Sequence, residues 1–234
     1  NRRYALREAK KIAAAAQITP IVDGSGLKNT LERRVISYLQ TELGWKLAGK
    51  SALVVSGVDR FGIAEALWDA GCKTTYGDLI FALGLPIPIH SLSTLRAIAY
   101  TLLPVFSQLP IKYLYPTGKK QESVTTKYEK YYHGNEIIAG DFLFIRKYMP
   151  TDLQGKIIIT NTVTKDDVEL LRERGVAVLV TTTPEMNGRS FGTNVMEGVL
   201  ISILEKKVDE VSPEDYSNLL DQLQFKPRIV YLQK

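Results

Sequence analysis

A chain of 234 residues, 45% apolar and 24% charged, has the balance of a folded globular domain and not of a disordered one. Its net charge of +5 comes from basic residues scattered beside acids on helical faces, with no basic stripe interleaved with aromatics, so no nucleic-acid partner is expected. The single cysteine, Cys72, excludes a disulfide framework and points to a reducing cytoplasm, and two separated histidines, His90 and His133, argue against a metal site.

Residues 4–16 carry an Ala-rich helical pattern that starts almost at once after Asn1, so further residues are expected upstream. Residues 1–48 are taken as a helical lead-in and hinge, the remnant of an N-terminal substrate domain. An apolar run at 19–22 ends in the turn Asp23-Gly24-Ser25-Gly26. Leu31, Val35, Ile36, Leu39 and Leu43 then repeat at helical spacing over 27–43, and Gly44 follows as a stop. From residue 49 to 205 short apolar strands alternate with helices. Strands are expected at 52–56, 73–76, 111–115, 136–141, 156–161 and 177–182, and helices at 62–70, 92–108, 125–132, 166–174 and 192–204. The most apolar window, 92–109, contains Arg96, Pro104 and Ser107 and reads as a buried helix and not a membrane span. Ser212-Pro213-Glu214-Asp215 has the form of a helix start, and 227–233 is strand-like, so 206–234 reads as a C-terminal helix–strand extension.

Strands that are apolar on both faces and alternate with helices specify a Rossmann-like, doubly wound, mostly parallel α/β sheet. Ligands of such folds bind at the carboxyl ends of the strands. The first such end reads Val54-Val55-Ser56-Gly57-Val58-Asp59-Arg60-Phe61-Gly62. Gly57 and Gly62 have the spacing of the outer glycines of G-x-G-x-x-G, the loop that brings backbone amides to a pyrophosphate at a helix N-terminus. Asp59 stands where the middle glycine belongs, and Arg60 is a candidate phosphate donor. Asp78, 21 residues after Gly57, lies where an acid binds ribose hydroxyls and disfavours a 2′-phosphate, so NAD is expected over NADP. Asn161, Thr182 and Thr183, at later strand ends, offer neutral hydrogen bonds to a nicotinamide. Arg189 and Asn194, just before the last core helix, are candidates for binding an anionic substrate.

The layout of a D-G-x-G hinge, a helix, a Gly-Lys dipeptide and then the first strand and its loop is similar to shikimate and quinate dehydrogenases. VDGSGLKNTLERR, VDRFG, GDLIFALGLPIP, AGDFLFIRKYMP and GRSFGTNVMEG resemble the quinate 5-dehydrogenase-like proteins, over nearly the whole chain. That resemblance implies an NAD(P)-dependent oxidoreductase acting on a small polyhydroxy or keto acid. Asp23, the hinge aspartate, would support proton transfer as a carbonyl becomes an alcohol. A small-molecule substrate is the partner this implies, with a homodimer compatible and no membrane or nucleic acid. The alternative is a non-enzymatic Rossmann-like module that binds another ligand or a protein and has lost dinucleotide chemistry. Asp59 is the residue on which the two readings diverge.

Overall fold

Isoleucine- and valine-rich segments buried on both faces form the centre of the molecule. The computed structural model describes residues 21–106 and 127–233, with residues 15 and 18. The helix expected at 4–16, the strand at 111–115 and the start of the helix at 125–132 lie outside the described residues. Strands β1 (Ser51–Val54), β2 (Lys73–Tyr76), β3 (Ile137–Ala139), β4 (Ile157–Thr160) and β5 (Val178–Thr181) form a parallel sheet, and β8 (Arg228–Tyr231) joins it at one edge. The order is β2-β1-β3-β4-β5-β8. This is the mostly parallel, Rossmann-like α/β fold expected from the sequence. The C-terminal strand, read as part of an extension, completes the sheet by pairing antiparallel with β5, from Val178 opposite Tyr231 to Thr181 opposite Arg228.

The winding direction reverses between β1 and β3, because β2 lies on one side of β1 and every later parallel strand on the other. A switch of this kind opens a crevice outside the carboxyl ends of the strands. Helices cover both faces. Helices α1 (Ser25–Thr41), α2 (Phe61–Asp69) and α4 (Leu92–Phe106) pack Val35, Ile36, Leu39, Ile63, Leu67 and Leu95 against Ala52, Val54 and Ile159. On the other face, α3 (Asp78–Phe81), α5 (Glu129–His133), α6 (Phe142–Tyr148) and α7 (Lys165–Glu173) pack on Leu53, Ile138, Ile158 and Leu179. Helices α8 (Thr193–Leu204) and α9 (Pro213–Gln222) close over Leu27 and Leu31 of α1 in a third cluster.

Local chemistry sets the boundaries. Thr164 and Asp167 form a reciprocal capping box on α7, and Ser212 and Asp215 form another on α9, with Pro213 at the first position. Sequence periodicity passes over three short elements, α3, α6 and the hairpin of β6 (Glu185–Met186) and β7 (Arg189–Ser190). Asn187 and Gly188 turn that hairpin with φ of 54° and 83°, the left-handed pair that a tight two-residue turn requires.

Gly62 lies at a close approach of α1 to α2. A Cβ there would stand 2.8 Å from Glu32 Oε2 and 3.1 Å from the Asn29 Cα. The contact includes backbone, so it cannot be relieved by a side-chain rotation alone. Gly62→Ala is expected to lower the unfolding free energy by about 1–3 kcal/mol, as overpacking does. Urea denaturation checks this, and an unchanged midpoint would show that α1 yields freely at this point.

Candidate functional site

The loop after β1 presents backbone N–H groups in the manner of a phosphate cradle, and the protein fills that cradle itself. Asp78, at the first position of α3, sends its carboxylate across the strand ends to the β1–α2 loop. Oδ2 accepts from the Gly57 amide at 3.0 Å and Oδ1 from the Val58 amide at 2.8 Å. Gly57 allows this approach, since a Cβ would lie 3.1 Å from Asp78 Oδ2 and 3.0 Å from Leu95 Cδ2. Burial pushes the Asp78 carboxyl up to about 6, and the bonds from Val58 and Gly57 work against that rise. The acid expected to meet a ribose is thus turned onto the amides that a pyrophosphate would use.

The start of α2 is occupied in the same way. Glu32, 1% exposed on α1, accepts from the Ile63 amide at 3.2 Å through Oε2. Its other oxygen, Oε1, lies 3.3 Å from Arg60 Nη1. Arg60 Nη2 donates to Asp141 Oδ2 at 2.6 Å, and Nε lies 3.3 Å from Asp59 Oδ2. One buried guanidinium therefore holds three carboxylates, one each from the α1 helix, its own loop and the end of β3. Lys28 adds a second cation at 2.8 Å from Asp59 Oδ1. Burial raises the Glu32 carboxyl, with Arg60 and Lys28 opposing, while Arg60 stays firmly charged. Asp141 also caps α6 by accepting from the Leu143 amide at 3.0 Å, and it takes a further bond from Asn161 Nδ2 at 3.0 Å. Asn161 Oδ1 in turn accepts from the Phe142 amide at 3.2 Å.

The structure therefore brings together Gly57, Asp59, Arg60, Gly62, Asp78 and Asn161 at the sheet's switch point. Phe61 opens α2 with the Arg96 guanidinium 5.5 Å from its ring centroid. Asp23 accepts from the Ser25 amide at 2.9 Å, as a turn-forming aspartate does. Gly24, with φ of 86°, lies against α8, where a Cβ would stand 2.8 Å from the Asn194 nitrogen. Thr183 Oγ1 donates to the Phe191 carbonyl at 3.0 Å. Arg189 lies on β7 with its guanidinium 5.4 Å from the Phe191 ring, and Asn194 is exposed in the first turn of α8. Thr182 is 3% exposed and its hydroxyl has no hydrogen-bond partner among the described residues.

Three buried acids at this end of the molecule accept amides of helix starts, a role not expected from the sequence. Glu197 of α8, 3% exposed, accepts from the Gly24 amide at 2.7 Å, the Leu27 amide at 3.1 Å and the Tyr216 hydroxyl at 2.9 Å. Glu32 and Asp141 are the others. The signal for the two glutamates was present: each stands among apolar residues on a helix, where a buried acid demands partners. Among the described residues no group of His, Cys, Asp and Glu side chains could hold a metal ion.

The model of the family described as "Domain of unknown function (DUF8754)" matches residues 26–232. The chain belongs to this family. No curated protein and no solved structure matches it. The span matched by DUF8754 includes α1 and β8, so both ends of the sheet assembly and the Arg60 hub fall within one family unit.

Replacing Arg60 tests the hub. Arg60→Leu leaves Glu32 and Asp141 buried without their cation and is expected to cost about 3–5 kcal/mol of stability. Arg60→Lys recovers only part, because a point charge cannot span carboxylates on separate elements as the planar fork does. Chemical denaturation of both variants checks the order, and equal stability of wild type and Arg60→Leu would show that the hub carries no load.

Proposed function

We propose that this chain is a Rossmann-like binding module whose dinucleotide seat has been given over to its own carboxylates, and that it acts on a ligand or partner other than NAD or NADP. The observation that carries this reading is Asp78 on the Gly57 and Val58 amides. A pyrophosphate in that loop would have to displace Asp78. It would also meet the negative charge of Asp59 and Glu32, at a cost that grows as water is excluded. Arg60, the candidate phosphate donor, is held by three carboxylates at 2.6–3.3 Å.

The NAD-dependent oxidoreductase reading needs the same amides and an Asp23 poised for proton transfer. The geometry supports it less, since Asp23 serves the turn that starts α1. Among the described residues no helix is long and apolar enough to cross a membrane. A reducing cytoplasm suits Cys72, whose buried thiol is pushed up to about 11 and is therefore a poor nucleophile.

Calorimetric titration of the full chain with NAD and with NADP, each to millimolar concentration, separates the two readings. No binding of either is expected. Saturable binding of NAD to the wild type, weakened by Arg60→Lys, would overturn this proposal and reinstate the oxidoreductase.

A further inference from the structure

Residues 79–89 carry no polar side chain, yet the middle of this run lies at the surface. Leu83, Leu85 and Ile87, in the loop after α3, are 40%, 46% and 53% exposed. Single exposed aliphatics are ordinary, but three in one short loop form a patch that marks a contact surface.

The backbone of this tip is also suited to an apolar medium. The Gly84 amide donates to the Ile80 carbonyl at 3.0 Å, Leu85 to Leu79 at 2.9 Å, Ile87 to Leu85 at 2.7 Å and Ile89 to Tyr76 at 3.1 Å. Pro86 and Pro88 have no N–H. From Gly84 to Ile89, therefore, no backbone donor is left over. The Gly84 and Pro86 carbonyls accept from the Tyr128 and Tyr131 hydroxyls at 2.9 and 3.2 Å. Such a tip brings no unpaired donor into hydrocarbon, where each one would be costly.

The same tyrosines place positive charge beside the tip. Lys127 Nζ lies 5.2 Å from the Tyr128 ring centroid, and Lys130 Nζ 5.0 Å from that of Tyr131. Lys147 Nζ lies 5.0 Å from the ring of Tyr148, whose hydroxyl donates to the Phe81 carbonyl at the base of the tip. Glu129 is the acid in this stretch of α5, and the lysines outnumber it. An aliphatic tip flanked by lysines matches a bilayer surface. The apolar side chains enter the acyl boundary, and the ammonium groups reach anionic headgroups on their long stems. A protein partner fits less well, because protein interfaces are enriched in Arg and depleted in Lys.

We propose that this face attaches the protein to the surface of an anionic bilayer, with Leu83, Leu85 and Ile87 inserted and Lys127, Lys130 and Lys147 on lipid headgroups. No membrane partner is expected from the sequence, because the two halves of the patch meet only through tyrosine contacts across 44 and 45 residues. The proposal does not depend on what occupies the β1–α2 loop.

The test is cosedimentation of the full chain with vesicles of phosphatidylcholine, either alone or with about one-third phosphatidylserine as the anionic lipid. Binding to the anionic vesicles is expected, weakening as salt is raised, with at least about tenfold lower affinity for the neutral ones. The double variant Leu85→Ser, Ile87→Ser changes exposed side chains, so it should melt as the wild type does and bind at least about tenfold more weakly. Lys127→Gln with Lys130→Gln should lower affinity about 25-fold, at roughly fivefold per charge. The proposal is overturned if the protein does not sediment with the anionic vesicles, which would leave the patch to an acidic protein surface. It is equally overturned if either double variant, folded as the wild type, binds those vesicles undiminished.

Discussion

Backbone N–H groups at the carboxyl edge of a parallel sheet must find acceptors, and in this protein the acceptors are its own acids. Helix starts gather at that edge, each with amides that lack an intrahelical partner and each carrying a partial positive charge. Asp78 takes the Gly57 and Val58 amides, Glu32 takes Ile63, Asp141 takes Leu143, Asp167 takes Thr164, and Glu197 takes Gly24 and Leu27. In a nucleotide-binding relative of the fold the first of these seats is kept open for phosphate. Here it is closed from within. Arg60 then becomes necessary, because Glu32 and Asp141 are buried and need a cation between them.

This arrangement separates the architecture from the chemistry usually found on it. The switch point between β1 and β3 has the usual position for a ligand, and its polar side chains converge there. Yet those side chains are bonded to one another, and apart from the buried Arg60 Nε, which has no hydrogen-bond partner among the described residues, they have little left to offer a ligand.

Much of the fold was legible in the sequence because apolar periodicity and capping signals are local. The first strand, expected at 52–56 and found at Ser51–Val54, the boxes at Thr164 and Ser212 and the stop at Gly175 follow from residue type alone. The short helices α3 and α6 were not, since four to seven residues carry too little periodicity to separate a helix from a loop. The placement of β8 depends on β5 presenting a free edge, which is a tertiary fact. The candidate site was legible in its positions and opaque in its pairings. Spacing puts Asp78 near the first loop, but only the path of the chain after β2 decides whether its carboxylate faces outward or turns onto Gly57. The apparent fingerprint glycines illustrate the same limit. Gly62 is small because α1 crosses there, a reason that no spacing rule contains.

The contact of Asp78 with the Gly57 and Val58 amides has a titration signature. Its folded value of about 6 lies above the ordinary 3.8, so the folded chain binds the extra proton between those values, and this group's contribution to stability falls as pH rises through that window. The most direct measurement is an NMR titration that follows the Asp78 carboxyl carbon together with the Gly57 and Val58 amides. All three should move on one curve with a midpoint near 6. A carboxyl midpoint near the ordinary aspartate value of about 4, with the two amides unmoved, would mean that the cradle is open.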